Sequence, residues 1–235
     1  MSLCRELFWA FGQLSACDLG LRVHISVLGK PGSGKSRTAD CLSRCFHIVR
    51  ISSGALVRAA IEQETEIGST AAGYVDRGDL LPEGLVDLLV IERLLKDDVR
   101  DGWILDGYPR RLAEAKSLET VGERGALDAL IYLQIADPPA VQRLLARWSC
   151  DICGGAYGLD APPAIDGVCD ECGAGLSRRV DDDRERINHR LEVFRIETEP
   201  LLEYYKGIVI TIDASRLAGE VCADAQEALK SRFMD

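Results

Sequence analysis

The sequence predicts an α/β domain: a five-stranded parallel sheet with helices on both faces and a small cysteine-rich insertion. Three observations predict it. Short apolar, β-branched runs alternate with segments of helical periodicity, the order that gives parallel strands joined by crossover helices. The first such run leads into a glycine-rich loop that opens a helix. Two C-x-x-C pairs then interrupt the alternation between residues 149 and 177.

The elements follow in order. VHISVL (Val23 to Leu28) is short, mostly apolar and β-branched, as expected of a buried strand covered on both faces. Residues 35–46 read as a helix, and HIVRIS (His47 to Ser52) as a second strand. Residues 54–64 read as a helix with Ser53 as its N-cap, and Gly68 to Gly78 as a short polar stretch. Pro82 to Lys96 is strongly periodic, with Leu85, Leu88, Leu89 and Leu95 recurring at helical spacing. GWILDGYPR (Gly102 to Arg110) contains a third strand, and ALIYLQI (Ala129 to Ile135) is a fourth. A helix over Pro138 to Arg147 is opened by Asp137 and its prolines. Another helix covers 183–205, GIVITID (Gly207 to Asp213) is the fifth strand, and Glu220 to Phe233 is the last helix. Ligands of such sheets bind at the carboxyl ends of the strands. GKPGSGKS, SSGALVR and DGYPR all fall there.

Composition narrows the function. The 235 residues are 47% apolar and 28% charged, enough for one large domain with an insertion. A net charge of −10 argues against a general nucleic-acid binder, yet leaves room for a local arginine cluster. No apolar run approaches the roughly 18 residues of a membrane span. Of nine cysteines, Cys4, Cys17, Cys41, Cys45 and Cys222 are scattered. That odd remainder fits a reducing compartment better than a disulfide framework, and a cytoplasmic location is expected. Leu3, Leu7, Phe8, Phe11 and Leu14 have helical spacing, so residues 1–22 read as an extension that packs on the domain or follows an upstream start. LSAC (Leu14 to Cys17) resembles a lipoprotein cleavage box, but the apolar region is short, broken by Gln13 and flanked by Glu6.

GKPGSGKS (Gly29 to Ser36) has the spacing G-x-x-x-x-G-K-S. Its glycines let backbone amides turn inward at a helix N-terminus, which suits a phosphate chain. Lys35 reaches the β- and γ-phosphates in such a loop, and Ser36 holds Mg²⁺. The alternative is a flexible Gly-Pro turn. The motif alone predicts a bound nucleoside triphosphate; kinases, ATPases and GTPases all remain.

Cys150 and Cys153 form one knuckle, Cys169 and Cys172 another. Each can offer two thiolates to one tetrahedral zinc ion, with disulfides or free thiols as the alternatives. Four protein ligands make a structural site. The segment is too small for its own core, so a metal would supply folding energy. A nucleic-acid-binding zinc finger is the competing idea, but no lysine or arginine lies between these cysteines.

Together the motifs resemble the adenylate kinase family in its zinc-lid form, from about Val23 to the C-terminus. They run in order: GKPGSGKS, ISSGALVRAA (Ile51 to Ala60), GDLLP (Gly78 to Pro82), LDGYPRR (Leu105 to Arg111) and RLLAR (Arg143 to Arg147). The C-x-x-C pairs, RRVDDD (Arg178 to Asp183), NHRLEVF and EPLLEYY (Asn188 to Tyr205) complete the set. The resemblance implies transfer of a phosphoryl group from Mg-ATP to AMP, giving two ADP. It divides the chain into a core (23–52, 82–147 and 178–235), an acceptor-binding segment (53–81) and a zinc lid (148–177).

It also implies roles. Gly32, Ser33, Gly34, Lys35 and Ser36 hold the donor phosphates, with Arg37, Arg143, Arg147 and Tyr157 in the same ATP-binding set. Ser53, Gly54 and Arg58 grip the acceptor, Leu80 and Leu81 wall its base, and Gly107 and Arg110 take its phosphate. Arg179 and Arg190 bridge donor and acceptor. Asp106 sits near Mg²⁺ through bound water, and Asp181 and Asp182 help to hinge the lid. Guanidiniums suit this task because they pair bidentately with phosphate oxygens as charge shifts between two nucleotides. A monomer is expected, since both moving parts need free space.

The chain departs from the family at Ser36 and Arg37 after the loop lysine, at Ala55 in place of an acid, and at Trp148 in place of a lid arginine. Glu114 stands where a glutamine usually reads adenine. A glutamine both donates and accepts; an ionised glutamate only accepts, which suits guanine. AMP is the expected acceptor, another nucleoside monophosphate the alternative, and a nucleotide-binding module that has lost catalysis a third reading.

Overall fold

The structure, a computed structural model, describes residues 22–179 and 181–234. The expected N-terminal helix over residues 1–22 lies outside the described residues except at Arg22. β1 (Val23–Gly29) is followed by α1 (Lys35–Phe46), β2 (Val49–Ser52), α2 (Ser53–Glu62), α3 (Glu66–Arg77) and α4 (Leu85–Leu94). Then come β3 (Gly102–Asp106), α5 (Leu112–Glu119), β4 (Ala129–Gln134) and α6 (Asp137–Leu145). β5 (Trp148–Cys150), β6 (Ala156–Tyr157) and β7 (Leu176–Ser177) belong to the cysteine segment. The chain closes with α7 (Arg184–Val193), a π-turn (Phe194–Thr198), α8 (Leu201–Tyr204), β8 (Val209–Asp213) and α9 (Ala218–Met234).

Five strands make the parallel sheet in the order β2-β3-β1-β4-β8. β1 is central, which explains its apolar run. Ile25 and Val27 face one side, packed with Leu42 and Phe46 of α1 and Val221, Ala225 and Leu229 of α9. On the other side Trp103 and Leu105 pack against Val90 and Leu94 of α4, while Leu28 and Leu130 meet Phe194, Leu201 and Tyr205. Ser26, a polar residue of the run, is fully buried and donates its hydroxyl to the Tyr108 carbonyl at 2.7 Å. The cost of burying it is thereby offset.

Several local expectations are corrected. The stretch from Gly68 to Gly78 is not a polar connection; it is most of α3, whose cap is Thr65 accepting from the Gly68 N–H at 3.0 Å. Gly68 lets α3 lie against α2: a Cβ there would stand 1.9 Å from the Ala60 carbonyl oxygen. The N-cap of α2 is Ser52 rather than Ser53; its hydroxyl accepts from the Ala55 N–H at 3.3 Å. The helix expected over 183–205 breaks at the π-turn before Pro200, whose ring and missing N–H interrupt the ladder. α5 had no counterpart in the sequence reading, nor had the antiparallel sheet β6-β5-β7. Finally, two of the scattered cysteines are not free: Cys41 on α1 and Cys222 on α9, 181 residues apart, lie in disulfide contact with Cα atoms 6.3 Å apart. Among the described residues no helix is long and apolar enough to cross a membrane.

Candidate active site

The loop after β1 wraps the N-terminus of α1. Gly32 has φ +83° and Gly34 φ +92°, a region open to glycine at little cost. At Gly32 space matters as well, since a Cβ would meet the Ala140 carbonyl oxygen at 2.5 Å. Lys35 folds back and donates to the carbonyls of Gly29 at 2.7 Å and Lys30 at 2.8 Å, holding the loop closed. Burial, and then the neighbouring Arg110, push the Lys35 ammonium down to about 7.

A cleft of about 280 Å³ opens above this loop. Gly32, Ser33, Gly34, Lys35, Ser36 and Arg37 form its floor, and Asp106, Arg143, Arg147 and Tyr157 its walls. A second chamber of about 130 Å³ adjoins it, lined by Ser53, Leu81 and Glu114 among others. Gly54, Arg58, Leu80, Gly107, Arg110, Arg179 and Arg190 line both. The two spaces therefore meet across a wall of four guanidiniums. Burial lowers the pKa of Arg58 and Arg190 and takes Arg179 down to about 9, with Arg147 the next cause for Arg179. Buried, mutually repelling cations of this kind favour an anion among them.

Carboxylates restrain part of that charge. Asp182 accepts from Arg147 Nε at 2.7 Å and Nη2 at 2.6 Å, a bidentate pair, and Arg190 Nη1 reaches Asp181 at 2.9 Å. Arg143 is engaged elsewhere. It donates to the Ala214 and Arg216 carbonyls at 2.7 and 3.2 Å and pairs with Asp160 at 2.6 Å, bracing the outer wall. Gly78, with φ +77°, lets Arg190 pass close by; a Cβ there would stand 2.8 Å from Arg190 Cγ. In the second chamber Glu114 is buried, 4% exposed, and its Oε2 accepts from the Arg110 N–H at 2.7 Å. Burial raises its pKa. Arg111 fixes the wall by donating to the Leu81 carbonyl at 2.5 Å.

The thiols of Cys150, Cys153, Cys169 and Cys172 converge, with all four sulfurs within 4.8 Å of one another. That suits one tetrahedral ion. Tyr157 belongs to both regions: its side chain lines the cleft, while its hydroxyl lies 3.3 Å from Cys169 Sγ and accepts from the Asp170 N–H at 2.8 Å. Arg37 Nη2 touches the Ala156 carbonyl at 3.4 Å, so the segment leans on the phosphate loop. Trp148 faces outward at 40% exposure, its ring 5.1 Å from the Arg178 guanidinium.

A family model described as Adenylate kinase matches residues 27–210. The chain belongs to the adenylate kinase family. It is 39% identical over 212 residues to the adenylate kinase of Caldanaerobacter subterraneus subsp. tengcongensis, covering 88% of this chain and 96% of that protein. It is 39% identical over 215 residues to that of Bacillus licheniformis, at 89% and 99% coverage. The figure for a Geobacillus adenylate kinase is 40% over 212 residues, at 88% and 98%. The protein is accordingly a phosphotransferase acting on nucleoside monophosphates.

For an adenylate kinase the sequence motifs left out one cluster at the site. Arg50 of β2 pairs with Asp106 at 2.5 Å and with Asp40 at 2.7 Å. The available signal was a charge inside the second strand, HIVRIS. Asp160 and Arg216, which frame the outer cleft, sit in segments with no periodic pattern to mark them.

Proposed function

We propose that this adenylate kinase transfers the γ-phosphoryl group of Mg-ATP to AMP, forming two ADP. The observation that carries the proposal is the wall shared by the two chambers, where Arg58, Arg110, Arg179 and Arg190 can touch the phosphates of two nucleotides at once. In this reading the amides of Gly32 to Ser36 and the Lys35 ammonium grip the donor. The phosphate oxygen of AMP attacks the γ-phosphorus and the bond to the ADP oxygen breaks, with no enzyme-bound intermediate. The guanidiniums align the two ends and hold the charge that spreads over the oxygens. Arg147 and Arg190 exchange Asp182 and Asp181 for phosphate as both ligands arrive.

Residues 53–81 and 148–177 are the parts we assign to closure, which excludes water from the donor phosphate. Ser36 and Asp106, both lining the donor cleft, are the side chains placed to hold Mg²⁺, directly or through water. When bound, that ion screens the transferring phosphates. The four thiolates would hold Zn²⁺ as a fold-stabilising centre. A monomer working in the cytoplasm, where ATP and AMP meet, completes the proposal.

Glu114 favours a second reading, the same transfer to a different monophosphate. Neutral, its carboxyl both donates and accepts and can serve adenine; ionised, it suits the paired donors of guanine. A coupled assay of ADP formation with Mg-ATP and AMP, GMP, CMP, UMP or dTMP decides. AMP is the expected preferred acceptor. GMP preference would replace this reading with the second, and silence with all five would overturn both.

A further inference from the structure

Arg50 connects three elements of the site. It projects from β2; its Nη2 donates to Asp106 Oδ2 at 2.5 Å and its Nη1 to Asp40 Oδ1 at 2.7 Å. Asp106 ends β3 with only 4% of its side chain exposed, whereas Arg50 is 24% and Asp40 45% exposed. Among the described residues Arg50 is the one ion-pair partner Asp106 has. Asp40 lies one turn along α1 from Ser36, the helix that begins with Lys35. The trio by itself carries two negative charges and one positive, and Lys35 and Arg58 add positive charge that acts on Asp106 without pairing directly with it. Ala55 supplies no further acid.

A buried carboxylate needs a counter-charge or a fixed set of donors. Lys35 and Arg58 act on Asp106 from across the cleft, but direct pairing is open to two cations: the Arg50 guanidinium, or the divalent ion that accompanies the donor nucleotide. We propose that Arg50 is a positioning residue that holds Asp106 as a placeholder counter-ion and competes with the divalent ion for it. Asp40 sets the strength of that hold by taking up part of the guanidinium's charge. The inference rests on the Mg-ATP reading above. It concerns the residues of this chain alone: Arg50 gives the empty site its stability and raises the concentration of Mg²⁺ at which the loaded site forms.

Opposite signs follow for two substitutions. R50Q removes the one direct ion pair of Asp106 among the described residues, which penalises the empty protein and leaves more negative charge for a divalent ion to neutralise. D40N leaves the whole guanidinium charge to Asp106 and strengthens the competitor. Thermal melting with ATP plus EDTA, and with ATP plus Mg²⁺, reads this without turnover. The extra rise given by Mg²⁺ should be larger in R50Q than in the wild type and smaller in D40N, while the rise given by ATP in EDTA stays equal in all three. The Mg²⁺ concentration for half-saturation, titrated at fixed ATP, should fall about fivefold in R50Q and rise in D40N.

A purely structural role would lower the melting point of both variants and leave their Mg²⁺ increments alike; that result would overturn the proposal. An increment that shrinks in R50Q would also overturn it, because Arg50 would then assist the ion. Should R50Q fail to fold, D40N still carries the test, since an increment equal to or larger than that of the wild type contradicts competition. Lack of ADP formation by the wild type, with the Mg²⁺ increments as expected, would sink the reaction while sparing the role of Arg50.

Discussion

Lys35 is held by two carbonyls of its own loop and pushed down to about 7 by burial and Arg110. A bound triphosphate favours the charged form, so its pKa rises on binding. Below pH 7 the free ammonium is already protonated and affinity for ATP should be flat with pH. Above it, binding must take up a proton, and affinity should fall by up to about tenfold per pH unit. Calorimetry of ATP binding at pH 8, in buffers of different ionisation enthalpy, should give an uptake approaching one proton. Lys35→Ala should abolish that uptake and reduce turnover by orders of magnitude while the melting point barely changes; near-normal turnover would remove Lys35 from the phosphate site. At this scale the phosphate loop was legible because its chemistry is contiguous. Asp106 was named within LDGYPRR, but its partners Arg50 and Asp40 were not, since the three come from β3, β2 and α1 and share no motif. Glu114 was visible as an unusual residue, but its burial and its bond to the Arg110 N–H required the fold.

Elements formed by local rules were the easiest to read. β1, β3 and β4 are largely apolar runs, buried except at His24 and Gln134. α3 was misread because Gly68 and Gly73 dilute its periodicity, although Thr65 offered a cap and Ala71 a buried face. Its last turn ends at Gly78, where left-handed backbone and the Arg190 side chain leave no room for a Cβ. Gly78→Ala should cost about 1–2 kcal/mol in stability. It should also displace Arg190, raising KM for the acceptor and lowering kcat, which steady-state kinetics can separate from a loss of fold. The cysteine segment is the opposite case: the four cysteines that converge were plain in the sequence and its strands were not. Two-residue strands such as β6 and β7 carry no periodicity, and their pairing follows from where the four sulfurs meet. A strong chelator should release about one zinc per chain and lower the melting temperature. Protein purified without chelator and free of metal would count against a zinc centre.

For the whole molecule, the alternation of strands and helices was enough to predict a parallel sheet, because each crossover helix needs a face to cover. The strand order and the contact between the first and last helices were beyond reach, since both depend on how the sheet folds back on itself. Cys41 and Cys222 mark that closure, brought within disulfide reach across 181 residues. A disulfide closing so long a loop contributes about 5 kcal/mol by chain entropy. Reductant should lower the melting temperature of the wild type and leave that of a Cys41→Ser variant unchanged. Equal shifts in both would show that reductant acts elsewhere, with the thiolates of the cysteine segment the next place to look.

The central position of β1 also sets a clock. Its backbone is bonded on one side to β3 and on the other to β4, whereas β6 and β7 are each bonded to β5 alone. Under deuterium labelling, β1 amides should exchange only when the molecule opens as a whole. Label should enter the cysteine segment far sooner, and sooner still in protein treated with a strong chelator. The loop that carries Lys35 is therefore rooted in the slowest-exchanging strand, while the cap above it keeps separate time.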